Sequence, residues 1–197
     1  APEARFRQGE LLEQEGDVRK AFDAYQDFLT RYNGSGLYEK ALNRQASMAQ
    51  SAADGHVKTS FLGLKASISN EKITDMLAKV RANAPRSASA SKAQFTIGEV
   101  WESQGNSPGA TKATAAYKEL VVEFPDSKEA PEAQFRIGKI LLEEARRGNQ
   151  DQANLDRAKE ALQDYVRQYP GHGKNSEARQ LISNIGGQDI ERSYEIA

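Results

Sequence analysis

Hydrophobic positions in this chain recur at helical spacing, in blocks that repeat along its length. Asn33, Pro85, Pro125 and Pro170 serve as anchors. Twelve residues before them stand Ala21, Ile73, Ala113 and Ala158, and eight before stand Tyr25, Leu77, Tyr117 and Leu162. Five before stand Phe28, Val80, Leu120 and Tyr165; one before stand Tyr32, Ala84, Phe124 and Tyr169. Steps of four, three and four residues place each set on one stripe of a helix. A second register runs forward from the anchors. Eight residues on stands Ala41, Ala93, Ala133 or Ala178, and thirteen on stands a small residue, Ala46, Gly98, Gly138 or Ser183. Gly9, with Ala4 five residues before it, fits the same role in the first block.

The two registers predict pairs of antiparallel helices. Helix A carries the small residue where a neighbour must approach closely, and helix B carries the large apolar groups. Proline then stops helix B, since it has no amide donor and constrains its predecessor. The predicted helices cover about 2–14 and 18–31, 36–52 and 70–83, 88–103 and 109–123, and 128–147 and 154–168. A shorter one follows at 174–184, Gly186-Gly187 is expected to break it, and a last segment starts near Asp189. Ser35, Ser87 and Ser127, each two residues past an anchor, are expected to cap the next helix A. A lone hairpin leaves an apolar face wet, and stacking covers it. The expected fold class is therefore all-α, an α-solenoid of helical hairpins forming one domain over 1–197. Its units lie at about 2–33, 36–85, 88–125 and 128–170, with a partial unit at 173–197.

Length varies in one place only. From anchor to the next small residue is always 13, whereas from small residue to following anchor is 24, 39, 27 and 32. The turn from helix A to helix B absorbs all of it. The largest insertion, about Ser51 to Asn70, contains the apolar run Phe61-Leu62-Gly63-Leu64.

Composition narrows the function. Hydrophobic residues make up 38% and charged residues 28% of the 197, with net charge −1. No basic excess marks a nucleic-acid binder, and no stretch approaches the roughly 18 apolar residues that cross a bilayer. With no cysteine, disulfides, thiolate catalysis and cysteine zinc sites are excluded. The first residue is not Met, so a trimmed N-terminus is expected. Catalytic groups are sparse. The two histidines, His56 and His172, fall in predicted loops beside glycine without a ligand partner at helical spacing. Gly34-Ser35-Gly36 and Gly171-His172-Gly173 lack the strand and motif that phosphate binding needs. No catalytic, cofactor or metal site is expected, nor any small-molecule substrate.

Gly9, Gly16, Ala21, Tyr25 and Phe28 resemble the tetratricopeptide repeat. So does Phe95-Thr96-Ile97-Gly98 followed by Tyr117, Phe124 and Pro125, and Phe135-Arg136-Ile137-Gly138 followed by Tyr169-Pro170. The closing Phe124-Pro125-Asp126-Ser127 and the opening Ala133-Gln134-Phe135-Arg136-Ile137-Gly138 look like the bacterial envelope subgroup. That subgroup includes the BamD-like lipoproteins of outer-membrane β-barrel assembly and the Tol-Pal-associated periplasmic proteins. The insertion with Phe61-Leu62-Gly63-Leu64-Lys65 and the terminal Glu191-Arg192-Ser193-Tyr194-Glu195-Ile196-Ala197 are similar to the BamD-like branch. The resemblance implies a right-handed superhelix and a non-enzymatic protein-binding scaffold of outer-membrane protein assembly. It implies a location on the periplasmic side of the bacterial outer membrane, and membrane contact only through a lipid anchor. A Tol-Pal-associated or secretin-associated adaptor, or a binding module of a larger protein, are the alternatives.

In this family helix A lines the inner wall, which register places at Glu3, Phe6, Glu10 and Glu13 in the first unit. The second unit gives Lys40, Asn43, Ser47 and Gln50, the third Lys92, Phe95, Glu99 and Glu102, and the fourth Glu132, Phe135, Lys139 and Leu142. Phe6, Phe95 and Phe135 share one register, three before the small residue. They are either rungs that grip a partner or packing between successive A helices, the commoner outcome. The charges are likewise a binding groove or a solvated face. Trp101 reads as core. Phe61, Leu62 and Leu64 either hook a partner or tuck back on their own hairpin.

Overall fold

The computed structural model describes residues 1–58, 68–148 and 152–195. Among these all regular structure is helical: α1 (Pro2–Gln14), α2 (Val18–Arg31), α3 (Tyr38–Lys58), α4 (Asn70–Asn83), α5 (Ala88–Glu102), α6 (Ser107–Glu123), α7 (Ala130–Arg147), α8 (Gln152–Gln168) and α9 (Asn175–Glu195). Contacts divide the chain into two compact units, Ala1–Ser103 and Gln104–Ala197. In each, helices adjacent in sequence pack against one another. This is the all-α hairpin architecture of an α-solenoid, as the two registers predict.

The turns from helix B to helix A are built alike. The residue before each anchor ends helix B in nearly the same non-helical conformation: Tyr32 at φ −130°, ψ 46°, Ala84 at −141°, 62° and Phe124 at −131°, 54°. Proline keeps its predecessor out of the helical region, but Tyr32 adopts the same geometry before Asn33, so the turn itself also favours it. The carbonyls of Tyr32, Ala84, Phe124 and Tyr169 then accept the amides of Ser35, Ser87, Ser127 and His172. Of the three expected serine caps, only Ser87 acts as one, its hydroxyl accepting the Ala90 amide at 3.1 Å. Ser35 accepts the Leu37 amide at 3.2 Å, within the turn ahead of α3. Ser127 Oγ is buried without a hydrogen bond, because α7 starts only at Ala130, after Glu129 and with Pro131 in its first turn.

The turns from helix A to helix B differ. Gly16 and Gly105 adopt φ of 76° and 63°, a left-handed conformation that glycine takes without steric cost. Each is followed by a cap: Asp17 accepts the Lys20 amide at 3.1 Å, and Asn106 accepts that of Gly109 at 2.8 Å. Ser69 does the same for α4.

Two helices exceed their expected bounds. α3 runs to Lys58 rather than ending near 52, which also places the backbone of His56 in a helix rather than a loop. α9 passes through Gly186-Gly187 without a break. Glycine costs a helix about 1 kcal/mol relative to alanine, a penalty and not a prohibition.

Among the described residues a core cluster lies in each unit. In the first, Phe6, Phe22, Tyr25 and Phe28 pack with Ile73, Met76, Leu77 and Val100. In the second, Phe135, Leu142, Leu155, Leu162 and Tyr165 pack with Ala178 and Ile185. Close approach depends on the small residues: a Cβ on Gly9 would stand 2.6 Å from the Tyr25 ring, and one on Gly138 would stand 2.6 Å from Leu162.

Candidate functional site

A concavity lies in the first unit, where α3 and α5 flank α4. From α3 come Asn43, Ala46, Ser47, Gln50, Ser51 and Asp54, a stripe at helical spacing. Ser89, Lys92 and Ala93 face them from α5, and Leu77 and Val80 of α4 lie beneath. The groove holds about 450 Å³ and its wall is mostly hydroxyl and amide. Asp54 and Lys92 are its charged residues. Gln50 ties the two sides together, accepting from Thr96 Oγ1 at 3.3 Å and donating to Asp54 Oδ1 at 3.0 Å. Lys92 is exposed. Such a surface can hold a polar peptide segment through hydrogen bonds over a small apolar floor.

Sequence register brings Asn43, Ser47, Gln50 and Lys92 to one place as laid out. Asp54 falls beyond the expected end of α3 near 52, and its signal is the polar stripe continuing through 47, 50, 51 and 54. Ser51 and Ser89 lie within expected helices but outside the register positions assigned to the inner wall.

The aromatic column behaves differently. Phe6 and Phe135 are core residues, 3% and 0% exposed. Phe6 packs on Tyr25 and Phe28 with ring centroids 5.6 and 5.7 Å apart, and Phe135 on Tyr165 at 5.3 Å. Their ring contacts are with their own helix B rather than with the next helix A, and they are not open rungs for a partner. Phe95 is half-buried, Trp101 is buried, and Glu99 and Glu102 are half-buried. Ammonium groups cover the buried rings: Lys40 Nζ stands 4.8 Å from the Phe6 centroid, and Lys174 and Lys139 stand 5.0 and 5.7 Å from that of Phe135.

Several wall charges pair between successive A helices. Glu10 takes Lys40 at 3.2 Å and Glu13 takes Arg44 at 2.9 Å, joining α1 to α3. Lys139 meets Glu177 at 3.4 Å and Glu132 meets Lys174 at 3.2 Å, joining α7 to α9. Hydrogen bonds from Arg7 and then Lys40 hold the Glu10 carboxyl below its ordinary range. Burial raises the Tyr25 phenol, which donates to Glu13 at 2.9 Å, and that carboxylate raises it further. Glu10, Glu13 and Lys139 are thus engaged within the fold. Among the described residues no cluster of three or more His, Cys, Asp or Glu could hold a metal ion. His172 Nδ1 lies 2.6 Å from the Tyr165 hydroxyl at the turn before α9. Phe61, Leu62 and Leu64 lie outside the described residues.

Comparison with known proteins agrees with the hairpins. The tetratricopeptide repeat family matches residues 3–35 and 132–172, so the chain carries tetratricopeptide repeats there. No curated relative matches. Among solved structures, that of MamA is similar, at 14% identity over 94% of this chain and 96% of that one, with a TM-score of 0.44.

Proposed function

We propose that this chain is a non-enzymatic scaffold that holds a polar segment of a partner protein in the groove between α3 and α5. Tetratricopeptide repeats indicate protein–protein interaction, and the groove is the observation that carries the assignment to this surface. Asn43, Ser47, Gln50 and Lys92 put donors and acceptors along a slot floored by Leu77 and Val80, which suits backbone amides and short polar side chains.

We further propose a BamD-like role in assembly of outer-membrane proteins, on the periplasmic side, with a lipid anchor as the membrane contact. The support is in the sequence: the Phe61–Lys65 insertion and the Glu191–Ala197 segment resemble that branch, and the Phe124-Pro125-Asp126-Ser127 closure resembles the wider envelope subgroup.

A photo-crosslinking amino acid at Ser47 or Lys92, expressed in a bacterial envelope, tests both parts. The expected adduct is a subunit of β-barrel assembly. Adducts with cytosolic proteins alone overturn the location and the role. Absence of any adduct at these two positions, with adducts elsewhere on the chain, overturns the groove. Replacing Ser47 with Arg and Lys92 with Glu should weaken partner capture by roughly tenfold or more while leaving the thermal midpoint in place.

A further inference from the structure

We propose that the groove between α8 and α9 docks an amphipathic α-helix of a partner protein, one that carries a carboxylate beside its apolar stripe. The small-residue position of helix A is where an antiparallel helix B comes closest: Gly9 lies under Tyr25 of α2, and Gly138 under Leu162 of α8. On α9 that position is Ser183, which is exposed. There the surface forms a groove of about 540 Å³ lined by Gln163, Val166, Arg167, Arg179, Ile182 and Ser183. Val166 and Ile182 are half-buried over the second core and give it an apolar floor.

Register also identifies the chemistry of the occupant. Gln134 stands four residues before Gly138 and donates to the Ala161 carbonyl of α8 at 3.2 Å. Arg179 stands four residues before Ser183, so it occupies the position from which helix A reaches the helix that covers it. Arg179 is exposed, and a guanidinium there suits a carboxylate, which it can hold through two parallel hydrogen bonds. Arg167 on the opposite wall adds positive charge, although Asp164 pairs with it. The occupant is therefore a helix antiparallel to α9, apolar at steps of three and four, with acidic residues on its flank. This surface shares no residue with the groove between α3 and α5, and its test is independent of that assignment.

The probe is a fluorescein-labelled peptide with the sequence of residues 152–168. It has the stripe Leu155, Ala158, Leu162 and Tyr165, with Asp156, Glu160 and Asp164 beside it. Saturable anisotropy that weakens with salt is expected, with roughly tenfold or greater loss for Arg179→Glu and for Ile182→Asp. Should Ile182→Asp fail to fold, the exposed Arg179→Glu carries the test. Absence of saturable binding, or equal affinity of wild type and Arg179→Glu, overturns the proposal. A dimer in sedimentation that Arg179→Glu dissociates also overturns it, by giving the groove to a second copy of the chain.

Discussion

At the scale of single residues, the repeat is held by tight contacts of few kinds. Gly138 has no room for a methyl group: Leu162 Cδ2 and Cγ lie 2.6 Å from the Cβ position and the Leu162 amide nitrogen lies 3.3 Å away. The backbone cannot retreat as a side chain can. Gly138→Ala gains about 1 kcal/mol in helix propensity but overpacks the α7–α8 seam at about 1–3 kcal/mol. A lower urea midpoint is expected. Amides make a second kind of contact. Asn83 Nδ2 donates to Gln26 Oε1 at 2.9 Å and Gln45 Oε1 at 2.8 Å, and Gln45 in turn donates to Gln26 at 2.6 Å. Three helices, α2, α3 and α4, meet at that trio. Gln45 is fully buried, so Asn83→Ala leaves its Oε1 without a donor at a cost of about 1–3 kcal/mol, readable as a shift in the same midpoint. Neither glutamine belongs to an apolar column, and so hydrophobic patterning passed over both.

Among elements, legibility depended on which junction is considered. Turns from helix B to helix A could be read because proline writes its constraint into a single position and the spacing after it never changes. Turns from A to B could not. Their lengths vary, and the residues that shape them, Gly16-Asp17 and Gly105-Asn106, make a short local signal. The most instructive difference is in α9. A glycine pair looks like a stop, yet a stop needs something that helix cannot satisfy, and glycine only lowers the stability of a helix. No atom of a neighbour lies within 4 Å of a Cβ built at Gly186 or Gly187. Gly186→Ala and Gly187→Ala should each stabilise α9 by about 0.5–1 kcal/mol, measurable as slower amide exchange along that helix. Slower exchange should be absent if the helix breaks there.

For the whole molecule, the helical class follows from periodicity, because buried stripes at steps of three and four suit a helix and not a strand. The groove between α3 and α5 was legible only in its register positions. Its far end depends on how long α3 continues, and composition does not mark that. The aromatic column was ambiguous for a related reason: register fixes which residues share a face, not which neighbour covers it. Charge adds a property of the chain as a whole. Glu10 is held below its ordinary value of 4.5 by Arg7 and Lys40. Asp27 is pushed up by burial, but hydrogen bonds from Arg5 and Arg31 outweigh that and hold it below 3.8. A depressed carboxylate contributes stability that is fully present above its unfolded value and lost as pH falls through the folded one. Stability should therefore decline as pH drops below 4.5, and Lys40→Gln should flatten that decline. Urea midpoints taken across the acid range give the comparison; identical slopes would remove the ion pairs from the account.

The pairing between A helices has one more implication. Glu10 follows Gly9 and meets Lys40, seven residues past its anchor; Lys139 follows Gly138 and meets Glu177, also seven past its anchor. The two contacts occupy one structural address with their polarity inverted. Transplanting α9 behind the first hairpin would confront Glu10 with Glu177, and moving α3 behind α7–α8 would confront Lys139 with Lys40. Like charges so placed repel. The first hairpin and the α7–α8 hairpin are thus each keyed to the helix that follows, and exchanging α3 with α9 should give poor assembly unless the charges are exchanged along with them.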